Sequence, residues 1–130
     1  MKRLNIEDST IAEIKADVEW NKTGVELIKG NTYKLEVVGD AKWKDWFITS
    51  GPEGFTKWYL HLSSGKKRMK NENWFALIGT YNGENPFLIG SGLPEFKALM
   101  TGELICYAND VMGFYWNNSG AIELKITRVE

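Results

Sequence analysis

One recurring feature constrains this chain most: short runs in which apolar and polar residues alternate, closed by glycine-containing turns roughly every ten to fifteen residues. In "TYKLEVVG", Tyr33, Leu35 and Val37 fall on one face while Lys34 and Glu36 fall on the other. In "AIELKITRV", Ile122, Leu124 and Ile126 share a face. A period of two sends successive side chains to opposite sides of an extended strand, so each run reads as a strand with one wet face. "VELIK" and "TYKLEVVG", joined by the turn "GN", read as a hairpin. "DWFIT" reads as a strand closed by the turn "SGPEG", and "NWFALIGTY", apolar almost throughout, as a strand at a sheet centre. "YNGENP" carries an Asn-Gly turn leading into "FLIG", followed by the apolar run "ELICY". About eight strands and no long helical period predict an all-β fold, an antiparallel β-sandwich or jelly roll. With no repeat, linker or low-complexity tract, residues 1–130 read as a single domain.

Charge excludes several classes. Sixteen basic residues against seventeen acidic ones give a net charge of −1, so no global field attracts nucleic acid or an acidic membrane. The one basic cluster, "KKRMK" at 66–70, reads as a solvated loop. The single Cys106 cannot form an internal disulfide, and within "LICY" it reads as a small buried thiol. The start "MKRLNIEDSTIAEIK" has no apolar core of signal-peptide length, and no stretch approaches ~18 continuous apolar residues. The expectation is a protein with no membrane span, cytoplasmic or exported without a cleaved signal peptide.

Catalytic constellations are equally scarce. His61 is the only histidine, so no zinc site with several nitrogen or sulfur ligands can assemble around it. Cys106 sits in mid-strand, which argues against a Cys–His pair. "IGSGLPEF" lacks the lysine of a phosphate-binding loop. No carboxylate pair is marked by its surroundings as a glycosidase pair. The expectation is a protein that is not an enzyme. Six tryptophans, five of them (Trp43, Trp46, Trp58, Trp74 and Trp116) at or near predicted loops, point to binding, because indole offers a broad apolar face and one donor.

The stretch "NDVMGFYWNNSG", residues 109–120, supplies the chemistry. It gathers Asp110, Asn117 and Asn118 within a short loop, with Gly113 to let the backbone fold back. Calcium takes six to eight oxygens from carboxylates, amides, backbone carbonyls and water, and few full charges imply modest affinity. Asn and Gly also dominate turns for conformational reasons alone, so spacing leaves a plain Asx-rich turn and a calcium loop equally open.

The same stretch resembles the sugar-site loop of the calcium-dependent galactose-binding lectins of the PA-I (PA-IL-like) type, whose pattern runs roughly N-D-V-x-G-x-Y-x-N-N-S-G. Asn109, Asp110, Val111, Gly113, Tyr115, Asn117, Asn118, Ser119 and Gly120 fit it. "TGVELIKGNTYKLEVVGDAKW" is similar to the family's first hairpin, "SGPEG" to its W-G-P-x-G turn, and "FALIGTYNGENPFLIG" to its central strand pair. The resemblance implies a galactose-binding-domain-like sandwich that holds Ca²⁺. In it Asp110, Asn117 and Asn118 coordinate through side-chain oxygens, and Phe114 and Trp43 through backbone carbonyls. It also implies that two vicinal sugar hydroxyls complete the calcium shell, with Asp110, Val111, Phe114 and Asn117 at the sugar. His61 and Trp58, in a segment longer than the family's, are the expected replacements for its outer contacts. Phe114 stands where the family has threonine, and Trp116 where it has a small residue.

These readings predict a calcium-dependent carbohydrate-binding protein for galactose or a related sugar, acting as a homo-oligomer that gains avidity from several weak sites. The rival reading is a β-sandwich used for protein interaction or assembly, with loop tryptophans as anchors and neither metal nor sugar.

Overall fold

The computed structural model describes residues 1–46, 48–55 and 66–130. Its strands are β1 (Ser9–Lys15), β2 (Asn21–Leu27), β3 (Thr32–Val37), β4 (Trp43–Asp45), β5 (Ile48–Ser50), β6 (Leu77–Tyr81), β7 (Glu84–Leu88), β8 (Gly92–Lys97), β9 (Gly102–Ala108) and β10 (Asn118–Arg128). The pairings between them are antiparallel. One sheet has the order β5-β4-β10-β3-β8, with β1 also paired to β10; the other has the order β2-β9-β6-β7. The architecture is the antiparallel β-sandwich that the alternating runs predict.

The core follows from the period of two. Ile14, Leu35, Ile122, Leu124 and Ile126 from the first sheet join Val25, Leu27, Leu77, Leu104 and Cys106 from the second in one continuous apolar cluster. Each is at most 1% exposed, and burying such an aliphatic side chain contributes about 1.5–3 kcal/mol. β6 is buried at all five positions and lies between β9 and β7, the sheet-centre placement expected of "NWFALIGTY". The Asn-Gly turn is also where the sequence puts it. Asn82 (φ 54°) and Gly83 (φ 86°) link β6 to β7, and two consecutive positive φ values suit the twist of a two-residue hairpin.

Three expectations are corrected. β2 and β3 do not form a hairpin, because β2 pairs with β9 and β3 with β10 and β8. The turn at Gly30 (φ 90°) carries the chain from one sheet to the other, so the inward residues of both strands enter the core from opposite sides. Tyr33 ties this arch, its hydroxyl accepting the Ile28 N–H at 2.9 Å. "DWFIT" is not one strand: the chain reverses at Trp46 (φ 57°), pairing Asp45 of β4 with Ile48 of β5.

The third correction concerns the basic cluster, whose end residues Lys66 and Lys70 are exposed as expected but whose Lys67 and Arg68 are not solvated. Lys67 is 8% exposed, donates from Nζ to the Glu72 carbonyl at 2.6 Å and lies over the Trp74 ring. The Arg68 guanidinium lies 4.1 Å from the Trp20 ring centroid and 3.4 Å from that of Tyr107. It also donates to the Glu19 carbonyl at 2.6 Å and to the Tyr115 hydroxyl at 3.0 Å. Aromatic faces attract a cation that has left bulk water, so these side chains pin residues 66–74 to the body of the sandwich.

Candidate functional site

The loop after β9 is held by Asn109, which is fully buried. Its Oδ1 accepts the Met69 N–H at 2.9 Å, and its Nδ2 donates to the carbonyls of Met69, Glu72 and Asn73. Its backbone carbonyl accepts the Phe75 N–H. One side chain thus saturates the inner end of the 66–74 segment, and Asn109 is a strut rather than a ligand. Tyr115, 3% exposed within a single 3-10 turn (Tyr115–Asn117), donates its hydroxyl back to the Ala108 carbonyl at 2.6 Å and closes the loop on itself.

From the other side β4 approaches β10, and Gly120 makes that approach possible. Its φ is 86°, and a Cβ there would stand 3.0 Å from both the Lys42 carbonyl oxygen and the Trp43 Cα. The resulting register sets Trp43 against Gly120 and Asp45 against Asn118. The Trp46 N–H then donates to the Asn117 carbonyl at 3.0 Å, sealing the corner.

Between these elements opens a cleft of about 340 Å³ lined by Asp45, Lys66, Trp74, Asp110, Val111, Phe114 and Asn117. Asp110 is 5% exposed; its Oδ1 accepts the Val111 N–H at 2.8 Å and its Oδ2 accepts Asn118 Nδ2 at 3.0 Å. Asn118 Nδ2 also donates to the Ala16 carbonyl at 3.0 Å. Both groups facing Nδ2 are acceptors, which fixes the amide orientation and leaves Asn118 Oδ1 pointing elsewhere. Asn118 Oδ1 and Asn117 Oδ1 are both buried and have no hydrogen-bond partner among the described residues, and neither does Trp74 Nε1. Buried polar atoms are ordinarily paired, so three orphans around one cleft mark a place prepared for something else.

The electrostatics point the same way. Burial pushes the Asp110 carboxyl above its ordinary value, against the hydrogen bonds from Asn118 and Val111 that pull it down. Burial, and next the nearby Asp110 carboxylate, push Asp45 up to about 6. A carboxylate that disfavours the charge of its neighbour favours a cation beside the two. No group of three or more His, Cys, Asp or Glu side chains occurs among the described residues. The side-chain oxygens at the cleft come from the carboxylates of Asp45 and Asp110 and the amide of Asn117, with Asn118 adjoining through Asp110 and the Lys66 ammonium also at the lining. Oxygen donors of this kind suit a hard cation such as calcium.

Of the residues predicted from sequence, Asp110, Val111, Phe114 and Asn117 line this cleft, and Asn118 adjoins it through Asp110. Phe114 is 58% exposed, leaving its ring at the rim. Trp43, expected to contribute its backbone carbonyl, is not among the residues lining the cleft. Its side chain faces the core, where the indole donates to the Phe75 carbonyl at 3.1 Å, and that burial does not bear on the carbonyl. His61 and Trp58 lie outside the described residues. Asp45, Lys66 and Trp74 line the cleft without having been singled out as ligands. For Asp45 a signal existed, since two residues after an inward-facing Trp43 a strand returns to the same face.

No protein-family model matches the chain, and no curated protein matches it in sequence. Among solved structures, the N-terminal domain of EclA, described as a PllA-like lectin, superposes with a TM-score of 0.68. The match covers 91% of this chain and 94% of that one at 17% identity. At that identity the likeness is one of fold: this chain shares the β-sandwich fold of that domain.

Proposed function

We propose that this protein is a non-enzymatic, calcium-dependent carbohydrate-binding protein. Its ligand would be galactose or a related sugar offering two vicinal hydroxyls. The observation that carries the reading is the pair of buried amide oxygens, Asn117 Oδ1 and Asn118 Oδ1, without partners among the described residues and gathered with the Asp110 carboxylate. A bound calcium would supply Lewis acidity toward neutral hydroxyls, which protein donors alone hold weakly in water. Asp110, Asn117 and Asn118 would hold it, with the Phe114 carbonyl as a further oxygen. This chain's own part in sugar recognition is then positional. Asp110 accepts a hydroxyl hydrogen, Val111 and Phe114 shape the wall, and Trp74 Nε1, buried without a partner at the cleft, offers a donor to a sugar oxygen. The lectin-like fold supports binding over catalysis.

The test is a glycan array probed in calcium and again in chelator, with Asp110→Ala in parallel. Binding that needs calcium and is lost in the variant supports the reading. A second reading, a protein-interaction module, draws on the exposure of Trp46 and Trp116, 71% and 78%, beside the cleft. It predicts partner binding that chelator leaves intact.

A further inference from the structure

Resting on that reading, we infer that Asp45 is a direct second carboxylate ligand of the cation, making the site a two-carboxylate one. β4 places Asp45 opposite Asn118, one of the two residues whose amide oxygens are left without partners. Asp45 lines the same cleft as Asp110 and Asn117 and is half-buried there. No hydrogen bond or ion pair among the described residues engages its carboxylate, whereas Asp110 spends one oxygen on Asn118 and the other on Val111. Lys66 also lines the cleft, but no ion pair among the described residues joins it or any other cation to Asp45. A half-buried carboxylate beside another costs stability until a counter-charge is bound to it.

Two carboxylates balance the charge of a divalent cation, whereas Asp110 alone leaves it with a net positive charge. Calcium sites gain affinity with the number of charged ligands, so this site should bind more tightly than one built on Asp110 and amides alone. The inference also gives Asp45 opposite effects in the two states. Without the cation its charge repels Asp110 and destabilises the fold; with the cation it stabilises.

The experiment measures calcium affinity by calorimetry and unfolding midpoints in calcium and in chelator at pH 7.5, for the wild type, Asp45→Asn and Asp40→Asn. Asp40 lies just before β4 but lines a different cleft, with Lys42 and Glu53. Asp45→Asn should weaken calcium binding at least tenfold, and Asp40→Asn should leave it within twofold. In chelator, Asp45→Asn should unfold at or above the wild-type temperature, and in calcium below it. That crossing separates a ligand from a merely structural residue. If the wild type binds calcium and Asp45→Asn binds it equally well, Asp45 is no ligand and this inference fails alone. If the wild type binds no calcium, the proposed function itself fails, and this inference with it.

Discussion

Asn118 donates from Nδ2 to Oδ2 of Asp110 at 3.0 Å, and the same contact leaves Asn118 Oδ1 buried without a partner among the described residues. One amide therefore does two things at once: it orients the carboxylate and holds an oxygen ready beside it. Asn118→Ala removes both. In chelator it should cost about 1–3 kcal/mol, because Asp110 Oδ2 and the Ala16 carbonyl each lose a buried donor. In calcium the loss should be larger, since the stabilisation by the cation disappears as well. Equal losses in the two buffers, read from urea melts, would show that Asn118 is structural only.

Trp74 is 6% exposed, with its indole N–H buried at the cleft without a partner among the described residues and Lys67 over its ring. Trp74→Phe keeps an aromatic face and deletes the donor. An unsatisfied buried donor costs roughly 1–3 kcal/mol, so the free protein should be no less stable than the wild type despite some lost packing. Sugar affinity should fall by about five- to tenfold, the worth of one hydrogen bond. Calorimetry with the best glycan from the array decides this. Unchanged affinity would remove Trp74 from the recognition surface.

Arg68 is the bolt of the segment that walls the cleft, packed against the Trp20 and Tyr107 rings and bonded to Glu19 and Tyr115. Arg68→Ala should cost about 3 kcal/mol, combining cation–π and charged hydrogen-bond losses, and lower the melting midpoint by about 10 °C. Arg68→Lys should recover little of it, because an ammonium lacks the planar face and the fixed fork of donors with which the guanidinium meets the aromatic rings, Glu19 and Tyr115. Full stability in the lysine variant would mean that charge alone matters there.

How far the sequence reveals this arrangement depends on the range of the interaction. The faces of β3 and β10 and the Asn-Gly hairpin are local, set by a period of two and by backbone preference, and they are legible in residues 33–37, 82–83 and 122–126. Sheet membership is not local. "VELIK" and "TYKLEVVG" look like a hairpin because both alternate across a short turn, yet an arch between two sheets has the same alternation. The fate of "KKRMK" was hidden for a related reason. A basic run looks solvated until Trp20 and Tyr107, far away in sequence, supply faces for Arg68. The site divides in the same way. Asp110, Asn117 and Asn118 stand in one readable loop, while Asp45 joins them only through its pairing with Asn118.

The pH response follows from Asp45, whose folded-state value is pushed from 3.8 to about 6 by burial and by Asp110. The metal-free folded protein therefore holds this proton more tightly than the unfolded chain. The associated stability is fully present below the unfolded value and is lost as pH rises through about 6. In chelator, Asp45→Asn should thus gain on the wild type as pH rises from the acid range to neutrality. In calcium the slope reverses, because cation ligands must be ionised, and wild-type calcium affinity should fall as pH drops through about 6. A wild-type-to-variant difference that stays flat across that window would contradict both signs.

The most direct test of the central claim is thermal unfolding of the wild type and Asp110→Ala, each in millimolar calcium and in chelator. A cation that binds only the folded state at a hundredfold excess over its dissociation constant adds about 2.7 kcal/mol, or about 10 °C for a chain of this size. The account predicts a calcium-induced rise of that order in the wild type and none in Asp110→Ala. A wild-type midpoint unmoved by calcium, or an equal rise in the variant, would contradict a calcium site in the Asp110 cleft.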